Sequence, residues 1–175
     1  RTLAGTVVTS GLELSGRYSL DQLLPGWARG LQVKFSASRA TITGGGPAAS
    51  AFAAQNLYLF PWSVGGGVTF SRKYYSISLN GKWNDEQRRT YYTVESDTTG
   101  RYEPGTYDYV GASFRLDLDV TFRLTKKFSL FLNGRDINGY TQEYFRYGPN
   151  CPEILQGREQ SKFASVWTLG VKGNF

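Results

Sequence analysis

The sequence predicts an all-β chain: an antiparallel meander of about seven long strands whose apolar side faces lipid. Three observations carry this. The first is strict alternation, clearest in "FRLDLDVTF" (114–122), where Phe114, Leu116, Leu118, Val120 and Phe122 share one phase and Arg115, Asp117, Asp119 and Thr121 the other. Successive side chains on a strand point to opposite faces, so one face is greasy and one is charged. The second is a regular alternation of short and long connections, and the third is a repeated spacing of aromatic residues.

Taken in order, the apolar phase of the first strand holds Leu12, Leu14, Gly16, Tyr18 and Leu20, and that of the second holds Leu31, Val33, Phe35 and Ala37. Trp62, Val64, Gly66, Val68 and Phe70 form the third, and Tyr75, Ile77, Leu79, Gly81 and Trp83 the fourth. Residues 114–122 are the fifth. "KFSLFLNGRDI" (127–137) is the sixth, with Phe131 in the polar phase, and Phe163, Trp167, Leu169, Val171 and Phe175 mark the seventh. No segment has a helical period.

The connections "SLDQLLPGWARG", "SRKYY" and "RLTKKFS" are short. "TITGGGPAASAFAAQNLYLFPW", "DEQRRTYYTVESDTTGRYEPGTYDY" and "NGYTQEYFRYGPNCPEILQGREQSK" are long, and the two kinds alternate. Compact soluble domains seldom hold several loops beyond about 12–15 residues without structure of their own. Outer-membrane barrels pair short periplasmic turns with long extracellular loops. Trp62 and Phe70, Tyr75 and Trp83, and Phe114 and Phe122 repeat one eight-residue spacing. On a tilted strand this is about 20 Å of height, the separation expected of two interfacial aromatic girdles. The expected class is therefore a transmembrane outer-membrane β-barrel with its C-terminus on the periplasmic side. A soluble sandwich, with the apolar faces packed inside, is the competing architecture.

Composition narrows the chemistry. The 175 residues include no His and one Cys, Cys151, so His-based triads and His or paired-Cys metal sites are excluded within the chain. Cys151 has no internal disulfide partner here. The net charge of +6 suits anionic partners but is also ordinary for solubility. No apolar run reaches the roughly 18 residues of a membrane helix. The chain starts at Arg1 and has no Met. An odd number of strands cannot close an antiparallel barrel, and open edges are not tolerated in lipid. The expectation is that residues 1–175 are the C-terminal fragment of one barrel domain, its first strands lying upstream.

The ending "VWTLGVKGNF" resembles the closing strand of outer-membrane proteins, with Trp167, Leu169, Val171 and Phe175 in one phase. "LDLDVTFRLTKKFSLFLNGRDING" resembles the penultimate hairpin of TonB-dependent receptors, and "YTQEYFRYGP" their last extracellular loop. Asp136, Ile137, Asn138 and Gly139 stand where that family has an "N-L-T-N"-like segment and match it only in general character. The resemblance is best over 105–175. It implies a bacterial outer-membrane receptor for energised uptake of a scarce ligand, a ferric siderophore foremost, with the plug and the TonB-engaging box upstream. It also implies an assembly signal at Trp167, Leu169, Val171 and Phe175, read by the barrel-assembly machinery. Outer-membrane lipid, the TonB complex and an iron chelate are the implied partners. A passive porin-like or structural barrel is the alternative.

Candidate sites follow. Arg88, Arg89, Tyr91, Tyr92, Tyr140, Tyr144, Arg146 and Tyr147 mix guanidinium groups with aromatic rings in the long loops, a composition suited to binding a chelate. Arg115, Asp117, Asp119 and Arg123 are expected to line the lumen and pair with one another. Asp117 and Asp119 as a glycosidase pair is the weaker reading, and no enzyme is expected. "GGGP" and "GGGV" lack the Lys-Ser/Thr of a phosphate loop. The polar phase counts Arg17, Lys34, Lys82, Arg115, Arg123, Arg135 and Lys172 against Glu13, Asp117 and Asp119, a net basic wall. No cofactor, metal or nucleic acid is expected.

Overall fold

The computed structural model describes residues 7–21, 23, 25–44, 58–92, 106–148, 151 and 153–173. The chain is all-β and antiparallel. Eleven strands are formed among the described residues: β1 (Val7–Ser19), β2 (Leu31–Gly44), β3 (Trp62–Ser71), β4 (Tyr75–Asn84), β5 (Gln87–Tyr92), β6 (Thr106–Val110), β7 (Ser113–Arg123), β8 (Phe128–Arg135), β9 (Thr141–Tyr147), β10 (Gly157–Lys162) and β11 (Val166–Gly173). Seven of them make one open sheet, ordered β1-β2-β3-β4-β7-β8-β11, at the seven places where alternation expects strands. The other four make a second sheet, β10-β9-β6-β5.

The second sheet corrects one expectation. Two of the long connections, 85–112 and 136–165, are not structureless loops. Each carries a two-stranded excursion, β5–β6 and β9–β10, and the two are joined through β6 and β9. β5 and β6 take up the register of β4 and β7, Asn84 opposite Ser113 and Gln87 opposite Val110, with only 85–86 and 111–112 unpaired as strand, and the register then shifts between Arg88 and Thr90. Most of the third long connection, 45–57, lies outside the described residues.

Register aligns the apolar phases of the large sheet. Val33 faces Tyr18 and Val68, Leu79 faces Val68 and Leu118, and Leu132 faces Val120 and Leu169. A slip of one residue on any strand would send its apolar set to the other side. Aromatic side chains interlock with glycines on this face. A Cβ on Gly16 would lie 2.5 Å from the Phe35 ring, and one on Gly134 would lie 2.7 Å from both Trp167 and Ile137. On the polar face, Phe131 sits opposite Gly170, which explains an aromatic residue in the polar phase.

Among the described residues nothing covers the apolar face. Leu12 and Leu169 are each 75% exposed, and Val64, Leu79, Phe114 and Val171 are exposed as well. The buried hydrophobic residues among those described are only Ala28, Val110 and Tyr140. A soluble protein of this length buries a contiguous core. Among the described residues the large sheet has none.

Short turns define one end of the large sheet and are tied side by side. Asp21 accepts the Gly30 N–H, Ser71 N–H donates to Gly30 O at 2.9 Å, and Arg123 N–H donates to Tyr74 O at 2.6 Å. Gly30 has φ +90° with the Ser71 carbonyl packed where a Cβ would stand, so only glycine fits this turn. The backbone-bound Asp21 carboxyl is held below its ordinary pKa, first by the Gly30 hydrogen bond and then by Ser19.

Candidate functional site

The two excursions form the outer sheet at the end opposite the short turns. Its strands lack a uniform apolar phase, so pairing rests on the backbone ladder and on a few specific side chains. Asp108 of β6 stands directly opposite Arg146 of β9. Arg146 Nε and Nη2 donate to the two Asp108 oxygens at 2.7 and 3.2 Å, and Arg158 Nη1 of β10 donates to the same carboxylate at 2.6 Å. Arg146 is buried, and its backbone carbonyl accepts the Cys151 thiol at 3.5 Å. Of the loop residues singled out for ligand binding, Arg146 is thus turned into the protein, where its charge joins three strands.

The other phase of β6 and β9 is aromatic. Tyr109 and Phe145 are opposite each other with ring centroids 6.2 Å apart, and Tyr107 is opposite Tyr147. Tyr147 packs edge-on to Tyr109 at 5.4 Å and tilted against Phe145 at 5.3 Å. The Arg88 guanidinium lies 4.9 Å from the Tyr107 ring centre and 5.9 Å from that of Tyr109. Such contacts hold an arginine in place while leaving its N–H donors available. Arg88, Tyr107, Tyr109, Phe145 and Tyr147 therefore form one cluster. Sequence reading named Arg88 and Tyr147 but not the three residues between them. Arg89 stacks instead on Tyr58, 5.8 Å away. Tyr91 and Tyr92 are placed in β5 opposite Tyr107 and Thr106. Tyr144 follows the other phase of β9, beside Glu143 and Arg158.

Tyr140 joins the excursion to the large sheet. It is buried, stacked on Phe163 at 4.8 Å, and covered by Arg115 of β7 at 4.1 Å, whose Nη2 donates to the Tyr140 hydroxyl at 2.6 Å. Arg115 also lies 3.9 Å from Asp136. Nearby, the Asn138 side chain accepts the Leu116 N–H at 3.1 Å and donates to the Phe114 carbonyl at 2.8 Å, extending the β7 ladder where β8 has ended.

The expected pairing of Asp117 and Asp119 with Arg115 and Arg123 is not what forms. Asp117 accepts the Asp136 N–H at 3.0 Å, and Asp119 accepts from Asn133 at 2.7 Å. Neighbours across the ladder are nearer than residues two along the same strand, so the carboxylates are satisfied crosswise. Among the described residues no ion pair involves Asp117, Asp119 or Arg123. All four remain on the polar face, in register with Lys82, Asn80, Ser78 and Ser129. That face is hollowed between β1 and β4, where about 680 Å³ is lined by Glu13, Arg17, Lys34, Ser36, Asn80 and Lys82.

Trp167, Leu169 and Val171 lie on the apolar phase of β11, the edge strand, opposite Gly134, Leu132 and Leu130. Phe175 lies outside the described residues. Among those described, no three His, Cys, Asp or Glu side chains are grouped as metal ligands, and no helix is long and apolar enough to cross a membrane. No family model, curated protein or solved structure matches this chain.

Proposed function

We propose that this chain is the C-terminal part of an outer-membrane β-barrel that takes up a scarce ligand by energised transport, as TonB-dependent receptors do. The observation that carries the membrane part is the uncovered apolar face, continuous over seven strands and bordered by Trp62, Trp83 and Phe114 at one end and Phe70, Tyr75 and Phe122 at the other. Lipid is the solvent in which such a face costs nothing, and aromatic borders suit its two interfaces. β1 and β11 are six strands apart in an antiparallel order and run the same way. Antiparallel closure therefore needs an odd number of further strands, which supports reading the chain as part of a larger barrel. The net basic polar face then lines the lumen, where a plug would sit, and the C-terminal edge strand bears the assembly signal.

The outer sheet supports the receptor part. The Arg88 and tyrosine cluster offers charge-assisted donors beside broad aromatic area, a chemistry suited to an anionic aromatic chelate such as a ferric siderophore. The test is uptake of radiolabelled ferric chelates by cells with and without the gene, with and without a protonophore. Saturable, protonophore-sensitive uptake is expected. Uptake that is linear in concentration and survives the protonophore would replace this reading by a passive pore.

A further inference from the structure

The end of the large sheet that carries the short turns has an unbalanced charge. The three turns, 20–30, 72–74 and 124–127, hold Arg29, Arg72, Lys73, Lys126 and Lys127 against one carboxylate, Asp21. That carboxylate is occupied by the Gly30 N–H inside its own turn. The opposite end mixes its arginines with Asp85, Glu86, Glu143 and others, so the two ends of the sheet differ in charge balance.

Geometry gathers these cations. The backbone bonds from Ser71 to Gly30 and from Arg123 to Tyr74 hold the three turns adjacent, and Arg72 Nη2 donates to Gly26 O at 2.9 Å across the first two. Between those two turns is a hollow of about 530 Å³ lined by Asp21, Arg29, Gly30, Ser71, Arg72 and Lys73. Two of the cations lie against aromatic rings. The Arg72 guanidinium folds back over the Phe70 ring at 5.2 Å, and the Lys73 ammonium lies 5.2 Å from the Tyr74 ring centre. Phe70 is a border aromatic of the apolar face, so Arg72 stands where that face ends.

We infer that this rim is a docking surface for the phosphate groups of anionic phospholipids in the leaflet on the short-turn side. The inference rests on the membrane reading above. An isolated basic turn is an ordinary solvated surface. Three adjoining basic turns placed immediately beyond an aromatic border coincide with the depth at which lipid phosphates lie. Each cation near an anionic surface adds an attraction that falls off within a Debye length.

The test uses the full-length protein in vesicles of phosphatidylcholine with traces of spin-labelled phosphatidylglycerol or phosphatidylcholine. The fraction of each label that the protein immobilises is compared. About threefold preference for phosphatidylglycerol is expected, collapsing in 0.5 M salt, as surface attraction of several cations requires. The triple variant K73Q/K126Q/K127Q, whose lysines are exposed and outside the strands, is expected to lose most of the preference while immobilising phosphatidylcholine as before. Equal immobilisation of the two labels by the native protein, or an unchanged preference in the variant, would overturn the inference and leave the barrel intact. Immobilisation of neither label would overturn the membrane reading and this inference with it.

Discussion

Arg146 Nε lies 2.7 Å from Asp108 Oδ1 across directly opposed positions of β9 and β6. This contact joins two excursions that leave the large sheet at different places, with Arg158 closing on the same carboxylate at 2.6 Å. A buried charge that loses its partner costs about 3–5 kcal/mol. Asp108→Asn is therefore expected to open the outer sheet, seen as rapid amide exchange in β6 and β9, while the large sheet keeps its protection. The double variant D108N/R146M removes both charges, and about half or more of the loss is expected to return, as a double-mutant cycle measures.

Gly134 is held between Ile137 and Trp167, with no room for a Cβ on the apolar face. Gly134→Val is expected to destabilise by about 1–3 kcal/mol, as overpacking does. Denaturant-dependent loss of the folded state, followed by tryptophan fluorescence, measures it. Wild-type stability in this variant would mean that Trp167 does not pack as described.

Leu79 and Leu118 face each other midway along β4 and β7. With the apolar face in lipid, as proposed, arginine at either position is expected to cost about 2–4 kcal/mol in a bilayer, the penalty for a cation at mid-depth. Ser78→Arg, one residue along and on the polar face, is expected to cost far less. Refolding both variants into vesicles compares the two faces directly.

The first short turn has a pH dependence of known sign. Asp21 is held below its ordinary pKa by the Gly30 N–H. The contribution is thus complete above the unfolded carboxylate value of about 3.9 and is lost as pH falls through the lower folded value. Exchange of the Gly30 amide is expected to accelerate only in that acid window. Asp21→Asn is expected to abolish the acid step.

The seven strands of the large sheet were legible because one solvent-like environment, apolar on one side and polar on the other, was written into them with period two. The upper parts of β1 and β2 were missed, since residues 7–11 and 39–44 lie beyond the apolar belt and pair through groups such as Ser10 and Thr41, 3.1 Å apart. The outer strands were invisible for a related reason. "GREQSK" and "QRRTYY" have no apolar phase to betray a strand, and their pairing depends on partners up to dozens of residues away. The site was legible only as composition. That Arg88 lies on two tyrosines while Arg146 is consumed by Asp108 follows from strand phase, which a loop reading of "YTQEYFRYG" could not supply.

The central claim is that the apolar face meets lipid, and three native tryptophans report on it. Trp62, Trp83 and Trp167 all lie in the apolar phase. Fluorescence of the full-length protein in vesicles, with lipids brominated at successive depths along the acyl chains, tests this without any substitution. Strong quenching is expected, greatest for bromines near the interface and weak for aqueous iodide. Iodide quenching with no response to brominated lipid would contradict the account and put the apolar face inside a soluble protein.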